Sequence, residues 1–530
     1  MNTNNVSVNA VPEDKAYLEN VNAKKWIRHM EEDLILFWDR VNPESQEREP
    51  FTTHAFSGGT PLTPEFIGEY KDRASKSGGE WMGANAGKNY SRMHSRLTFA
   101  YGVAYHLTGN PQYYEVMQKG VNYSLDNGFD EYGALTILED RNAPENTPNL
   151  RTSQDQAYSL TGLAFFYYLT RDKGVLDRIL KQHDYIMDTY AIYQYGEDGD
   201  KEKLLDFRWL PTDQASSELV AILDQLNAYM VLLYPILPEN AEEDQKRKKE
   251  WKQTMMDLCQ IMLDKFHVDK KKNPWNDEQI TVNSFWGKLS GKELKFGGRH
   301  FDFGHFVKAW WMIYLVGKLV GDEHFEQKGE DGVQHILDDG FVDGETLFNA
   351  IDERGGNKPD SLKSESTWGE KYFPTEKNEW WVKKNISLGQ HWWMHCEMDQ
   401  AAAMVYKGKD SVQKWIATSN FFLNRYVDHG AGGIWHELEP ATLSPKLMKA
   451  HLWKNAYHSF EHTLIMAIAS EKVKKGEIDL SFAIKDGSCS DSTLRPYYFD
   501  DGDIWDIRYS TMTEGLNLRS CRVKFVFNKS

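Results

Sequence analysis

The chain has 530 residues, 40% of them hydrophobic, which is the composition of a globular protein with enough apolar side chains for a large core. No run of about 18 apolar residues occurs, so the sequence predicts no bilayer-spanning segment. The formal net charge of −17 argues against nucleic acid as a partner, because phosphate binding needs a basic face. The first residues lack the apolar core of a signal peptide, and the four cysteines share no CxxC spacing. These features indicate neither a disulfide framework nor a zinc knuckle. They predict a reducing, cytoplasmic compartment.

Pairs of helices follow one another along the chain, with apolar residues at spacings of three and four. One set is rich in Trp, Tyr, Ala and small residues and predicts buried inner helices near 90–108, 153–170, 214–234, 302–319, 388–407 and 453–470. A more charged set alternates with it and predicts outer helices near 14–39, 111–127, 173–192, 241–267, 322–338 and 410–428. This alternation predicts an all-α fold, an (α/α)6 barrel in which helical hairpins close into a ring.

Long polar, glycine-rich segments separate several of these hairpins, and we expect them to wall the mouth of a cavity. They span residues 40–89, 268–301, 342–387 and 429–452. From residue 471 the chain alternates apolar and polar residues as strands do. The predicted domains are therefore a catalytic barrel over 1–470 and a small β-containing extension over 471–530. The extension could cap the cavity or mediate a homodimer.

Four of the predicted inner helices carry polar clusters beside aromatic residues. The segments are SRMHSRLTFAYG with Arg96, FGHFVKAWW with His305, HWWMHCEMDQ with Glu397 and Asp399, and WKNAYHSFEH with His458. Buried charges are costly unless they are paired, so charges on successive inner helices indicate a functional cavity. Aromatic residues make up 13% of the chain, and such side chains fill cores or stack on sugar faces.

The same segments resemble the N-acylglucosamine 2-epimerase superfamily, which includes cellobiose 2-epimerases and aldose–ketose isomerases, over residues 85–470. FGHFVKAWW resembles the helix with one catalytic histidine, here His305, and WKNAYHSFEHTLI resembles the last helix, which places the other at His458. RMHSRLTFAYG resembles the helix with the substrate-binding arginine, here Arg96. HWWMHCEMDQAAA resembles the helix that supplies a carboxylate, here Glu397. SQDQAYSLTGLA likewise resembles a Tyr-Asp-Gln-Ala-Phe helix of the family.

The resemblance implies a sugar 2-epimerase or aldose–ketose isomerase. Two histidines would move a proton beside the aldehyde of an open-chain sugar, and Arg96 would stabilise the enediolate. The implied partner is a small-molecule mono- or oligosaccharide, with no metal and no cofactor. The implied substrate-binding residues are Arg96, Glu397, Trp392, Trp393, Asp399, Gln225, Lys308 and Trp435. HELE at 436–439 is not HExxH, so the sequence does not predict a metalloprotease.

Two departures from the family pattern leave other reactions open. Lys308 stands where the family has a glutamate, and a cation there would lower the pKa of His305. The helix that supplies a third histidine in the family reads LVAILDQ here, with Asp224 and Gln225. One alternative is a carbohydrate hydrolase or lyase on the same barrel, with Glu397, Asp399 or Asp224 as acid and base. The other is a cyclase or isomerase that binds a hydrophobic substrate among the aromatic residues.

Overall fold

The computed structural model describes residues 22–43, 50–77, 79–197, 199–212, 218–272, 279–285, 288–290, 293–295, 302–340, 390–407, 411–438, 443–485, 488–489, 493–511 and 519–527. Six inner helical segments alternate with six outer ones. The inner helices are Ser91–Thr108, Ser153–Tyr158 with Thr161–Thr170, Leu219–Gln225 continued by Leu226–Met230 and Val231–Leu233, Phe303–Val320, Trp392–Met404 and Tyr457–Lys475. The outer helices are Ala23–Arg28 continued by His29–Ile35 and Leu36–Val41, Pro111–Asn127, Lys173–Tyr190, Glu242–Lys265, Glu323–Gly340 and Ser411–Arg425. The predicted (α/α)6 barrel is confirmed.

The inner helices form a closed ring. Each contacts the next, and the sixth contacts the first, so no end of the helical array is left uncovered. The window Leu219–Ile236 in the third inner helix has a mean hydropathy of 1.5 and the length of a membrane span, although the sequence predicted none. Because 89% of that window is buried inside the protein, it has the character of a core helix.

Local signals fix where several helices begin and end. The second outer helix begins at Pro111, after Asn110, whose side chain accepts a hydrogen bond from the Gln112 backbone N–H. The fourth inner helix begins after Asp302, whose carboxylate accepts a hydrogen bond from the His305 N–H. Gly321 ends that helix with φ of 71°, in the left-handed region that glycine adopts without a steric penalty. Asp302 matters beyond capping, because it also faces the His305 imidazole.

The last part of the chain forms an antiparallel sheet of the strands Glu477–Ile484, Gly502–Thr511 and Arg519–Phe527, with Arg519–Phe527 in the centre. Its apolar side chains, among them Phe482 and Phe525, belong to the same buried core as the barrel helices. The division of the chain into two domains stays a prediction. The expectation that the cysteines form no disulfide is wrong, because Cys489 and Cys521 are bonded, whereas Cys259 and Cys396 are free and buried. The cytoplasmic compartment also stays a prediction.

Short elements occupy the connections between the barrel helices. Residues 40–89 contain the helices Pro64–Phe66, Ile67–Lys76 and Glu80–Ala84, and two short 3-10 turns lie at Pro144–Asn146 and Pro148–Leu150, with another at Tyr234–Ile236. Two-stranded hairpins are formed by Phe129–Asp130 with Gly133–Ala134, Ala191–Tyr195 with Lys201–Phe207, His267–Lys272 with Gln279–Phe285, and Lys288–Ser290 with Glu293–Lys295. A small sheet joins Gln390–His391, Glu437–Leu438 and Pro445–Lys446. The predicted mouth segment 342–387 lies outside the described residues.

Candidate active site

A cavity of about 310 Å³ lies within the ring, and all six inner helices contribute side chains to its wall. Its lining comprises Trp81, Arg96, Gln154, Tyr158, Leu223, Asp224, Asn227, Asp302, His305, Lys308, His391, Trp392, Trp393, Glu397, His436, Trp453 and His458. Trp81 and Trp453 are 41% and 42% exposed, so they lie at the mouth. The mixture of aromatic faces, carboxylates, imidazoles and cations is typical of a binding cavity for a polar molecule.

Seven of the residues predicted from the sequence meet in this cavity. They are His305, His458, Arg96, Glu397, Lys308, Trp392 and Trp393. The two histidines lie against the same ring, since the Trp393 centroid is 4.8 Å from that of His305 and 5.7 Å from that of His458. The residues that sequence reasoning placed on these inner helices are therefore neighbours in space.

Three predicted substrate-binding residues are not among the described residues that line the cavity. Asp399 is fully buried behind it, accepting a hydrogen bond from Thr418 of the sixth outer helix. It lies two positions from Glu397, which turns it to the opposite face of the helix. Gln225 donates to the backbone carbonyl oxygens of Ser153 and Ala221, while its neighbour Asp224 faces the cavity. Trp435 stacks under the Lys449 ammonium, and the adjacent His436 lines the cavity instead.

The surroundings of His305 favour its protonated form. Its Nδ1 lies 2.6 Å from Oδ2 of Asp302, the residue that also caps the helix. Burial opposes protonation of His305, but the charge and hydrogen bond of Asp302, supported by the charges of Asp224 and Glu397, outweigh it and raise the pKa of His305 above its ordinary value. Asp302 therefore both orients the imidazole through Nδ1 and stabilises its positive charge.

The surroundings of His458 favour its neutral form. Burial, followed by the charges of Arg96 and Lys308, holds the pKa of His458 well below its ordinary value. Its Nδ1 lies 2.7 Å from Oε1 of Glu397, while the other oxygen of that carboxylate lies 2.8 Å from Nζ of Lys308. Lys308 therefore compensates the Glu397 charge. Neutral His458 donates Nδ1–H to Glu397, which leaves Nε2 as a base.

Lys308 lies inside the barrel, 4% exposed, between two carboxylates of neighbouring helices. Its Nζ is 2.8 Å from Glu397 and 3.4 Å from Glu461, and both carboxylates are fully buried. Burial disfavours the charge of Lys308, but these two carboxylates outweigh it and raise the pKa of Lys308. The expectation that Lys308 lowers the pKa of His305 is wrong, since Asp302 dominates there and Lys308 acts on His458.

Arg96 presents its guanidinium to the cavity over aromatic rings. Its Cζ lies 3.7 Å from the centroid of Tyr158 and 5.3 Å from that of Tyr457, which are cation–π distances. Within the part of the chain that the structure describes, no carboxylate lies within 4.0 Å of Arg96 and its Nε has no hydrogen-bond partner. A guanidinium held in this way at the cavity wall is suited to bind an oxygen of a molecule in the cavity.

Asp224 is the carboxyl group that the third inner helix contributes to the cavity. It accepts hydrogen bonds from Nε2 of Gln154 at 2.7 Å and from the hydroxyl of Tyr158 at 2.8 Å. Burial raises the pKa of Asp224, and these hydrogen bonds only partly oppose the rise.

Sequence reasoning missed several residues of the wall. Asp302 precedes His305 by three positions, and a capping signal of that form could have identified it as a partner of the imidazole. Trp81 lies in the short helix Glu80–Ala84, and His391 and Trp453 precede the observed starts of the fifth and sixth inner helices; no spacing signal marks the three as wall residues. His391, His436 and Glu437 lie so close that one donor atom of each falls within 4.8 Å of the others, and they could hold a metal ion.

Comparison with known proteins identifies solved structures with a similar fold. No protein-family model and no curated protein sequence matches the chain. Among solved structures, cellobiose 2-epimerase from Bacillus thermoamylovorans B4167 superposes with a TM-score of 0.59 at 14% identity, over 85% of this chain and 99% of that one. Cellobiose 2-epimerase from Spirochaeta thermophila DSM 6192 gives 0.58 at 15% identity, over 87% and 100%. A sugar epimerase from a ruminal bacterium gives 0.57 at 16% identity, over 85% and 98%.

These identities are low, so the likeness concerns the backbone and not the chemistry of the site. It extends over nearly the full length of the compared chains. The chain therefore has the (α/α)6 barrel fold of the sugar epimerases, as its resemblance to the N-acylglucosamine 2-epimerase superfamily predicted.

Proposed function

We propose that this protein is a sugar 2-epimerase or aldose–ketose isomerase that acts on an open-chain reducing sugar. The observation that carries the proposal is the pair His305 and His458, which share one cavity and have pKa values displaced in opposite directions. Groups whose surroundings separate their pKa values in this way are suited to act as acid and base together. The fold of sugar epimerases and the aromatic wall of the cavity add support.

The proposed reaction assigns the base to His458 and the acid to His305. Nε2 of His458 takes the proton from C2 of the aldose, and the electron pair of the C–H bond forms the enediolate. Arg96 stabilises the developing charge on oxygen with the guanidinium that it presents to the cavity. Protonated His305 returns a proton to the opposite face of C2 for epimerisation or to C1 for isomerisation. In isomerisation the proton of the O2 hydroxyl also passes to O1, which leaves the carbonyl at C2. His458 then loses its proton to solvent and His305 regains one, which completes the cycle.

A hydrolase or lyase remains a second candidate because of Asp224. Its raised pKa and its place in the cavity suit a carboxylic acid that protonates a leaving oxygen. The obvious second carboxylate, Glu397, is engaged by both Lys308 and His458, which makes it a poor base or nucleophile. We therefore rank proton transfer above glycoside cleavage.

The test is incubation of the protein with reducing mono- and disaccharides in deuterated water, read by NMR and mass spectrometry. Proton-transfer chemistry predicts deuterium at C2 of at least one sugar for epimerisation, or at C1 of the ketose for isomerisation. Oligosaccharides are included so that newly formed reducing ends report hydrolysis. Cleavage without deuterium at either carbon would favour the Asp224 mechanism, and the absence of both deuterium and cleavage from every sugar would contradict the proposal. His458→Asn serves as the control, because it removes the base while Asp224 stays in place.

A further inference from the structure

Three histidines from separate segments form a hydrogen-bonded row in the wall of the cavity. His391 lies in the strand Gln390–His391, His436 precedes the strand Glu437–Leu438, and His451 lies in the connection before the sixth inner helix. Nδ1 of His391 is 3.2 Å from Nε2 of His436, and Nδ1 of His436 is 2.9 Å from Nε2 of His451. None of the three takes part in the proposed proton transfer.

A carboxylate completes this group. Glu437 pairs with His391 across the small antiparallel sheet, and opposite residues of such a pair have neighbouring side chains. Oε2 of Glu437 lies 3.9 Å from Nε2 of His391, and Oε1 lies 3.3 Å from the Lys446 ammonium. Lys446 thus pairs with one carboxylate oxygen, and the other is the one nearer the imidazole.

The direction of the hydrogen bonds shows that the histidines are neutral. The Trp453 backbone N–H donates to Nδ1 of His451, so the proton of that ring is on Nε2 and is donated to Nδ1 of His436. Nε2 of His436 then donates to Nδ1 of His391. Neutral imidazole is the form that binds transition metals.

We infer that His391, His436 and Glu437 form a binding site for a divalent transition-metal ion of the zinc class, with His451 as a positioning residue. Two imidazoles and a carboxylate are a ligand set that zinc prefers. A tetrahedral zinc ion with Zn–N bonds of about 2.1 Å separates its ligand atoms by roughly 3.4 Å. Nδ1 of His391 and Nε2 of His436 lie 3.2 Å apart, and one donor atom from each of the three residues lies within 4.8 Å of the others, so side-chain movements would bring them to that separation.

The ion would replace the hydrogen bond between His391 and His436. Nε2 of His436 would then bind the metal, and the proton of that nitrogen would move to Nδ1 of the same ring. His451 would change its tautomer, so that its Nε2 accepts a hydrogen bond from Nδ1–H of His436. The change costs the contact between the Trp453 N–H and His451, which is a long one at 3.3 Å. A zinc-binding imidazole usually donates the N–H of its other nitrogen to a neighbouring hydrogen-bond acceptor in this way.

The position of the site sets what the ion could reach. His391 and His436 both line the cavity, whereas His451 and Glu437 are buried behind them. The remaining coordination position of a four-coordinate ion would therefore face the cavity, where water or an oxygen of a bound molecule can occupy it. Calcium and magnesium would be poor occupants, because they prefer sets of oxygen ligands.

The test is titration of the full-length protein, first freed of metal with a chelator, with Zn²⁺ by calorimetry and with Co²⁺ by visible absorption. The proposal predicts one ion per chain with a micromolar Kd and the strong visible bands of near-tetrahedral Co²⁺. His436→Asn and the isosteric Glu437→Gln should each weaken Zn²⁺ binding about 100-fold or more. His451→Asn should weaken it on the order of 10-fold, as loss of an orienting partner does.

Two control variants locate the ion. His324→Asn removes an exposed histidine of the fifth outer helix, and His458→Asn removes an imidazole of the cavity outside the site. Both should leave the Kd unchanged. No binding tighter than millimolar, or tight binding retained in folded Glu437→Gln, would overturn the inference, as would loss of binding in His458→Asn. No sugar is present, so the result does not depend on the proposed epimerase activity.

Discussion

At the scale of single residues, the roles of the two cavity histidines are set by their neighbours. His305 and His458 are the same side chain, yet Asp302 draws a proton onto one while burial, Arg96 and Lys308 keep it off the other. Lys308 takes part because Glu397 and Glu461 hold it inside the barrel. Replacing the neighbours should therefore move the pH dependence of the reaction while both histidines stay in place.

Asp302→Asn should lower the pKa of the acid. Asparagine caps a helix as well as aspartate does, so the fourth inner helix should keep its start while the charge beside His305 disappears. Because His305 must be protonated, the descending limb of the kcat/KM–pH profile should move to lower pH. Asp172→Asn, which alters the cap of the third outer helix, is the matched control. A descending limb that stays in place would show that Asp302 does not set the pKa of the acid, His305.

Lys308→Met should raise the pKa of the base. The ammonium helps to keep His458 neutral, and a neutral base is needed, so its loss should move the ascending limb of the kcat/KM–pH profile to higher pH. The same change leaves Glu397 and Glu461 without their cation, which should cost about 3–5 kcal/mol of unfolding free energy. Lys318→Met, on the same helix, controls for loss of a lysine. An ascending limb that stays in place in folded Lys308→Met would contradict the coupling.

At the scale of elements, close approach between helices depends on glycine. The fifth outer helix packs against the fourth inner helix through Gly329, where a Cβ would lie 2.6 Å from Cα of Tyr314. The backbone atoms of Tyr314 cannot move aside as the end of a flexible side chain can. The two helices would have to separate and expose part of the apolar surface that they now share.

Gly329→Ala should therefore lower the unfolding free energy by about 1–3 kcal/mol, measured by urea denaturation. The matched control is Gly68→Ala, in the helix Ile67–Lys76, where a Cβ would meet no atom within 4 Å. That change should be neutral or stabilising by up to about 1 kcal/mol, because alanine loses less conformational entropy in a helix. Equal effects at the two positions would rule out close helix packing as the reason for Gly329.

The terminal sheet is tied together by the Cys489–Cys521 disulfide. Thiol titration of the oxidised protein in guanidinium should find only the two thiols of Cys259 and Cys396. Reduction should expose all four and lower the unfolding free energy by about 2–4 kcal/mol, because the bond closes a long loop in the unfolded chain. Four reactive thiols before reduction would contradict the pairing.

Helices were predictable from the sequence because their apolar residues repeat at the helical period over long stretches. The predicted inner helix near 302–319 is observed at Phe303–Val320, and the predicted outer helix near 173–192 at Lys173–Tyr190. The disulfide could not be predicted in this way, since Cys489 and Cys521 are separated by 32 positions without a motif. Only the pairing of distant strands brings them together.

At the scale of the whole molecule, the barrel places one side chain or more from each inner helix around a single cavity. The sequence identified the helices that carry polar groups, so His305, His458, Arg96 and Glu397 were predictable as neighbours. It could not show which flank of each helix faces inward, and Asp399 and Gln225 were therefore placed in the cavity wrongly. The row of His391, His436 and His451 needs the closed fold to form.

The most direct test of the acid–base assignment is an NMR titration of the histidine side chains in the full-length protein. The imidazole signals are assigned with His305→Asn and His458→Asn, and no substrate is needed. We expect His305 to lose its proton at a pH above the ordinary histidine pKa of about 6.5, and His458 to stay neutral at pH values well below that pKa. Two histidines that titrate together near the ordinary pKa, or in the reverse order, would contradict the acid–base assignment.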